Sequence, residues 1–405
     1  MLANDVVPMF TRDPIASYAS EIFSAIPRVD QRRWAEVYLR GLLSVKGKKS
    51  VKRIAESILA MPAHQSLQQF INQSPWRWAP VRAMLARHVQ SVAPPQAWVL
   101  GRVVIPKRGD RSVGVERQFL PEAGRMMNCQ VGLSVSLVTA TSSVPVNWRI
   151  LLPKAWDGTL TRQTARIPDH VESRPEWLEG AAMVQEMADR WGLTRVPVVA
   201  NVRHLRQTNE LVTRLASGGL PFVLEVGDSL RVLGDTHPSP ALRSRPTLAR
   251  RSVGPSLETV LTARDYLHTL TGNRHQRNHS LAPVSSAVRR SFVRSSLVKI
   301  PGSNGSAAHP IRLLTEISPE GEAVRFWVTN LKEHRIDELM ALARLESRSR
   351  EDMHNLELNF GLRDFEGRSF RGWHHHMTMV SAAYIFARLG RDAHDDCPSC
   401  TSRVS

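Results

Sequence analysis

The stretch WVLGRVVIPKRG, Trp98–Gly109, sets an apolar run against a basic turn. A short run rich in Val and Ile and ended by Pro106 and Gly109 reads as a buried strand entering a turn. Gly101 and Arg102 stand at its centre. What a glycine and an arginine do in the middle of such a strand is the question the rest of the chain has to answer.

Toward the C-terminus, Cys129–Thr139 and Trp148–Leu152 are further β-rich runs without helical spacing between them, which predicts an antiparallel meander. Trp177–Trp191 then takes helical periodicity, Val196–Ala200 is an apolar run of the buried-strand type, Asn209–Ala216 is helical and Pro221–Val226 is a strand. Helices alternating with strands after a meander predict a mixed α/β sheet.

Toward the N-terminus the character changes at Pro94-Pro95. Before it, Trp34, Val37, Tyr38 and Leu42 recur at helical spacing, Ile54 and Ile58 repeat it, and Ser66–Ile71 and Val81–Val89 offer two more helices. Lys46, Lys48, Lys49, Lys52 and Arg53 crowd the junction of the first two helices. Two readings stay open: a helix end laid against phosphates, or a solvated basic loop on a helical bundle.

From Gly234 to about Gly321 the pattern degrades into Ser, Arg, Pro and His, with a weakly helical patch at Leu257–Leu270. Arg243, Arg245, Arg250, Arg251, Arg289, Arg290, Arg294 and Lys299 charge it positively, either to contact DNA or to stay mobile. Val324–Val328 restores a strand, and Arg335–Leu358 and Trp373–Leu389 are helices before a polar tail. The expected division is a helical, DNA-binding unit over 1–93, an α/β core over 94–233 and 322–390, a basic insertion over 234–321 and a tail over 391–405.

Across its 405 residues the chain has 54 Lys plus Arg against 37 Asp plus Glu, a net charge of +17, which favours a polyanionic partner. Three cysteines, Cys129, Cys397 and Cys400, are too few for a disulfide framework, and the N-terminus lacks a secretory pattern, so a reducing cytoplasm is expected. No apolar run approaches the roughly 18 to 20 residues of a membrane span.

Several strings resemble insertion-sequence transposases of the Asp-Asp-Glu type, whose catalytic core is RNase H-like. PKRGDRSVGVERQF, Pro106–Phe119, is similar to that family's Pro-Lys-Lys-Gly, Ser-Val-Gly-Val and Arg-Gln-Tyr segment. NCQVGLSVSL at Asn128–Leu137, VNWRILLP at Val146–Pro153, GLPFVLEV at Gly219–Val226 and GLRDFEGRSFRGWHHHMTM at Gly361–Met379 follow in the family's order. The resemblance covers about Pro27 to Gly390 apart from the insertion. It implies an RNase H-like mixed sheet flanked by helices, with a helical N-terminal domain and a basic insertion before the last core helices.

In that family three carboxylates hold two divalent metals about 3.5 to 4 Å apart, which activate the attacking oxygen and stabilise the leaving one. The resemblance sets Gly101 and Arg102 on the first acidic pair, Asn201 in VVANVRHL on the second acid, and Arg350 on the third, with Glu357 on the lysine that follows it. Neither a glycine nor an arginine side chain supplies the hard anionic oxygen that Mg2+ requires, and asparagine keeps only the shape of aspartate. Glu351 adjoins the third position, but one helical step turns it by about 100°. Two readings of Arg102 and Arg350 stay open: holding a DNA phosphate, or bridging to Glu351 or Asp352.

His374-His375-His376 diverge too far along a helix to share one ion, and Cys397-Pro398-Ser399-Cys400 is half of a zinc-knuckle spacing. Trp76 and Trp78 are expected in a core. The expectation is a catalytically inactive, transposase-like DNA-binding protein that regulates transcription or a related mobile element, without cofactor or bound metal. It would lie in the cytoplasm with the nucleoid, meet no membrane, and leave a homodimer open. DNA contacts are assigned to Lys48, Lys49, Lys52, Arg53, Arg102, Lys107, Arg108, Arg289, Arg290 and Arg294. The alternative is an active transposase using Mg2+ or Mn2+ with relocated acids such as Asp110, Asp228 or Glu351.

Overall fold

Five helices come first: α1 (Pro14–Ile22), α2 (Val29–Ser44), α3 (Val51–Ile58), α4 (His64–Asn72) and α5 (Trp78–Val92). Asp13 caps α1, its carboxylate accepting from the Ile15 and Ala16 N–H groups with Pro14 just inside the helix. In the computed structural model the described residues are 13–59, 64–120, 123–234, 259–272, 280–286, 289–301 and 309–390. Cys397 and Cys400, the tail, and Arg243, Arg245, Arg250 and Arg251 lie outside them.

Then β1 (Ala97–Pro106), β2 (Glu116–Leu120), β3 (Arg125–Val138) and β4 (Ser143–Ile150) form the expected meander, with β2 added as a short hairpin strand on β3. After α6 (Thr159–Ala165) and α7 (Glu176–Arg190), β5 (Val198–Asn201) joins β1 in parallel. Past α8 (Thr208–Ser217), β6 (Phe222–Val226) joins β5 in parallel. The order β4-β3-β1-β5-β6, with β1, β5 and β6 parallel and β3 antiparallel, is RNase H-like.

The segment expected to lack regular pattern instead extends this sheet. It follows β7 (Arg231–Gly234) and contains β8 (Thr259–Thr262), α9 (Ala263–Gly272), β9 (Ser280–Ser286), β10 (Arg289–Ile300) and β11 (His309–Ile317) among its described residues. Then β12 (Ala323–Thr329) pairs with β11 on one side and with β6 on the other, so these strands and the RNase H-like strands are one hydrogen-bonded sheet. The sequence hid β10 because it sets the apolar pairs Phe292-Val293 and Leu297-Val298 among serines and arginines. Its buried Ser295 is satisfied by Arg312, whose Nε donates to Ser295 Oγ at 3.0 Å.

Two long helices close the fold: α10 (Ile336–Asn359) and α11 (Phe370–Leu389). α10 packs across β1, β5 and β6, burying Ile336, Leu339 and Met340 against Val99, Val199, Val223 and Trp327. The turn after it needs Gly361, whose φ of 74° and close Lys49 Cβ exclude a side chain. On the opposite face α7 approaches β1 closely, because a Cβ on Gly180 would lie 2.8 Å from Leu100 Cδ2.

α11 is buried on nearly every side between β4 and helices α2, α4 and α5. The histidine triplet works here. His376 receives the Tyr38 hydroxyl at Nδ1 (2.9 Å) while Nε2 donates to the Gly361 carbonyl at 2.9 Å. His375 stacks on Trp76 with its ring nitrogens 2.9 Å from the Ile71 and Trp76 carbonyls, and His374 stacks on Trp78. A neutral His375 donates to only one of those carbonyls, and burial, the dominant influence, holds its pKa down to about 3. Arg82 of α5 is fully buried beside them, donating to Trp148 O (2.6 Å), Thr378 Oγ1 (2.8 Å) and His374 O (3.0 Å).

Candidate functional site

Strand register brings two of the three expected positions together. Leu100 pairs with Ala200 and Asn201 with Glu225, so one step on, Gly101, Asn201 and Glu225 form a row across three parallel strands. Alternation puts this row on the face of Val99, Val199 and Val223, beneath α10. Seven and eleven residues beyond Leu339, Glu346 and Arg350 continue the helix stripe that faces the sheet. Arg350 acts electrostatically on Glu225, so the third expected position overlooks the row.

What fills the row is a set of arginine-clamped carboxylates. Asn201 Nδ2 donates to Glu225 Oε2 at 3.4 Å, Arg203 Nη1 lies 3.6 Å from Glu225 Oε1, and the Arg203 N–H donates to Asn201 Oδ1 at 3.3 Å. Arg350 Nη2 donates to both oxygens of Glu346, at 2.7 and 2.6 Å. Burial pushes the Glu225 carboxyl above its ordinary range, opposed by Arg325, Arg203 and Arg350 and reinforced by Glu346. Gly101 leaves space: a Cβ there would meet only Ser134 Oγ, at 3.2 Å, a buried hydroxyl with no partner.

Arg102 corrects the sequence expectation. Alternation turns it away from Gly101 to the opposite face of β1, where its Nε lies 3.6 Å from Glu176 Oε2 at the start of α7. His204 Nε2 sits 2.8 Å from the other oxygen of Glu176. A small cleft there is lined by Leu100, Arg102, Trp177, Asn201, His204 and Leu205, among others. Neither arginine bridges to Glu351 or Asp352. Arg350 takes Glu346, Glu351 is exposed, and Asp352 accepts from the Ser143 N–H, the Tyr384 hydroxyl and Arg388 at 2.9 Å each. Of the other relocated acids, Asp110 is exposed in the turn after β1 and Asp228 pairs with Arg264 at 2.5 Å.

The expected DNA-contacting residues divide. Lys49 is buried, its ammonium donating to the Val45 carbonyl, which removes it from any surface. Lys107 Nζ donates to the Phe365 carbonyl at 2.8 Å, and burial lowers its pKa to about 8. Arg53 donates to the Lys48 and Lys46 carbonyls and Lys48 pairs with Glu366, so both shape the basic junction before α3 as well as charging it. Lys52 and Arg108 are exposed. Arg289 and Arg290 open β10, with side chains outside the described set, and Arg294 within β10 is half-buried with Nε and Nη1 unpaired.

Sequence reasoning missed Glu225, Glu346, Glu176 and His204. A signal existed for the first, which ends the apolar run GLPFVLEV at the carboxyl end of a parallel strand, where sites of α/β sheets gather.

The sequence matches the family described as DDE superfamily endonuclease over residues 21–283. The chain belongs to that family. Comparison with curated proteins gives no match. Membership implies interaction with DNA. The family's chemistry uses divalent metals, and none of the three positions that the resemblance assigns to its acids carries a carboxylate. Gly101 offers no side-chain oxygen, the Asn201 amide oxygen accepts a backbone N–H, and Arg350 brings a cation. Among the described residues no group of three His, Cys, Asp or Glu converges to hold a metal ion, and no helix is long and apolar enough to cross a membrane.

Proposed function

We propose that this DDE superfamily endonuclease relative binds DNA without cutting it, and regulates transcription or a related mobile element by occupying DNA ends or promoters. The observation that carries the reading is the row Gly101, Asn201 and Glu225 beneath Arg350. Where the family's chemistry calls for metal cations between carboxylates, guanidinium groups stand beside Glu225 and Glu346. A guanidinium neutralises a carboxylate but cannot polarise water as a metal does, so the cluster has charge balance without a nucleophile. The family implies DNA, and the net charge of +17 supports affinity for it with a steep salt dependence. The protein would be found on nucleoid DNA and needs no metal.

The test incubates purified protein with fragmented genomic DNA of its host, with Mg2+, with Mn2+ and with chelator, and sequences retained fragments and new 3′-hydroxyl ends. Enriched sites without new ends, alike in all three conditions, are expected. New ends at defined sites that require metal would overturn the reading and point to an active enzyme with relocated acids. Glu225 and Glu346 would then be the first residues to mutate.

A further inference from the structure

The hairpin of β2 and β3 carries an apolar pair that the core does not use. Phe119 and Met126 face each other across the two strands and are 58% and 47% exposed. The hairpin is nonetheless anchored: on its other face Leu120 and Cys129 are buried. By alternation Arg117 stands on the Phe119 face, one pair nearer the root, opposite Asn128. Asn128 in turn accepts the Lys107 N–H at 2.8 Å, which joins this face to the basic turn after β1.

Arg108 and Arg111 in that turn and Arg117 on this face are exposed, as is Arg125 on the hairpin's other face opposite Leu120, and none of them makes an ion pair among the described residues. Two side chains expose far less than the roughly 800 Å² per partner of a stable protein interface. Uncompensated arginines flanking a small apolar tip instead fit duplex DNA, whose phosphates meet the arginines while the apolar tip enters a groove and separates a base step.

We infer that the Phe119–Met126 pair is a wedge that unstacks and kinks duplex DNA gripped by Arg108, Arg111 and Arg117. This rests on the DNA-binding reading above and goes beyond it by naming the contact and the deformation. The wedge supplies distortion and the arginines supply affinity, so the two separate in experiment.

The full-length protein is titrated onto a mixed-sequence duplex of about 30 base pairs, long enough to report a kink, with 2-aminopurine at successive positions and fluorophores at the ends. Wild-type protein is expected to raise 2-aminopurine fluorescence at one or more steps and to shorten the end-to-end distance. Phe119→Ser with Met126→Ser should abolish both signals at saturation while affinity changes by less than about tenfold, since phosphate contacts dominate affinity. Phe119→Trp should retain them, which excludes a folding defect as the cause. Binding with signals that are equal in wild type and the double variant overturns the wedge alone. A wild-type dimer that the double variant converts to monomer assigns the pair to a second copy and also overturns it. Failure of the wild-type protein to bind the duplex at all sinks the DNA-binding reading, and the wedge with it.

Discussion

Replacing Arg82 by Met should cost about 3–5 kcal/mol of stability, and the structure shows where that figure comes from. The guanidinium is fully buried and bonds only neutral groups: the Trp148 and His374 carbonyls, the Thr378 hydroxyl and, at 3.2 Å, His374 Nδ1. Burial pulls its pKa down to about 9, so it stays charged at neutral pH, and no carboxylate bonds to it. Hydrogen bonds from a charged donor are worth about 1.5–3 kcal/mol each. Methionine of similar length would strand the Trp148 carbonyl and the His374 ring nitrogen. The His374 carbonyl keeps the Thr378 hydroxyl, which donates to it at 2.8 Å. The gross loss is therefore about 4.5–9 kcal/mol from three bonded groups, the Trp148 carbonyl, the Thr378 hydroxyl and the His374 ring nitrogen, reduced by release of the desolvation cost of an unpaired cation. Arg82→Lys should fall between, since one ammonium cannot reach acceptors on both β4 and α11. The assay is urea unfolding at pH 7 followed by tryptophan fluorescence and far-UV circular dichroism together. Coincident transitions with Arg82→Met within 1 kcal/mol of wild type would refute the reasoning, because the buried charge would then cost as much as its bonds return.

Three further outcomes are expected. His375 and His376 have pKa values held at about 3 and about 4, below the ordinary 6.5, so the unfolded chain takes up protons first as pH falls. Stability should be full above pH 6.5 and fall steadily toward pH 4, and an unfolding midpoint in urea that is flat over that window would contradict the buried neutral rings. Lys107, with a pKa of about 8 against 10.5 in water, works in the other range: its folded state releases the proton first, so stability rises between pH 8 and 10.5. Lys107→Met should flatten that rise, by at most about 3 kcal/mol after solvent screening, in a difference of denaturation curves. Finally, Gly101→Asp with Asn201→Asp and Arg350→Glu places carboxylates on the row and under α10, with Ser134 Oγ free to bond the first. Mg2+ or Mn2+ should raise the melting temperature of this triple variant and leave the wild type unmoved; equal shifts in both would argue against the assignment of the positions.

The core was legible where burial is two-sided. β1, β5 and β6 read as apolar runs because both of their faces are covered, and α10 and α11 read as helices from spacing alone. Positions 101 and 201 were legible as neighbours only through the resemblance, since register across parallel strands is set by tertiary packing. The face of Arg102 could have been read from alternation with Gly101 and was not. Lys49 misled because a basic string resembles a surface whichever member turns inward, and its burial depends on Gly361 and Asp364 hundreds of residues away. The strand β10 was missed because its serines and arginines imitate a loop, although the sheet buries Val293, Val298 and Ile300.

The position of α11 bears on how the protein comes to be made. It is the last helix of the described fold, yet the first ones depend on it: Tyr18 bonds the Ala382 carbonyl, Tyr38 bonds His376, and the Trp148 indole bonds Ser381. While a ribosome is still working, the sides of the N-terminal helices and of β4 that pack on α11 therefore have no cover, and the nascent chain must wait or be chaperoned. A message broken or frameshifted before codon 370 would yield a chain whose core stays open to proteases. Intact synthesis is thus checked by the fold itself, and partial products would be cleared before they compete for any partner.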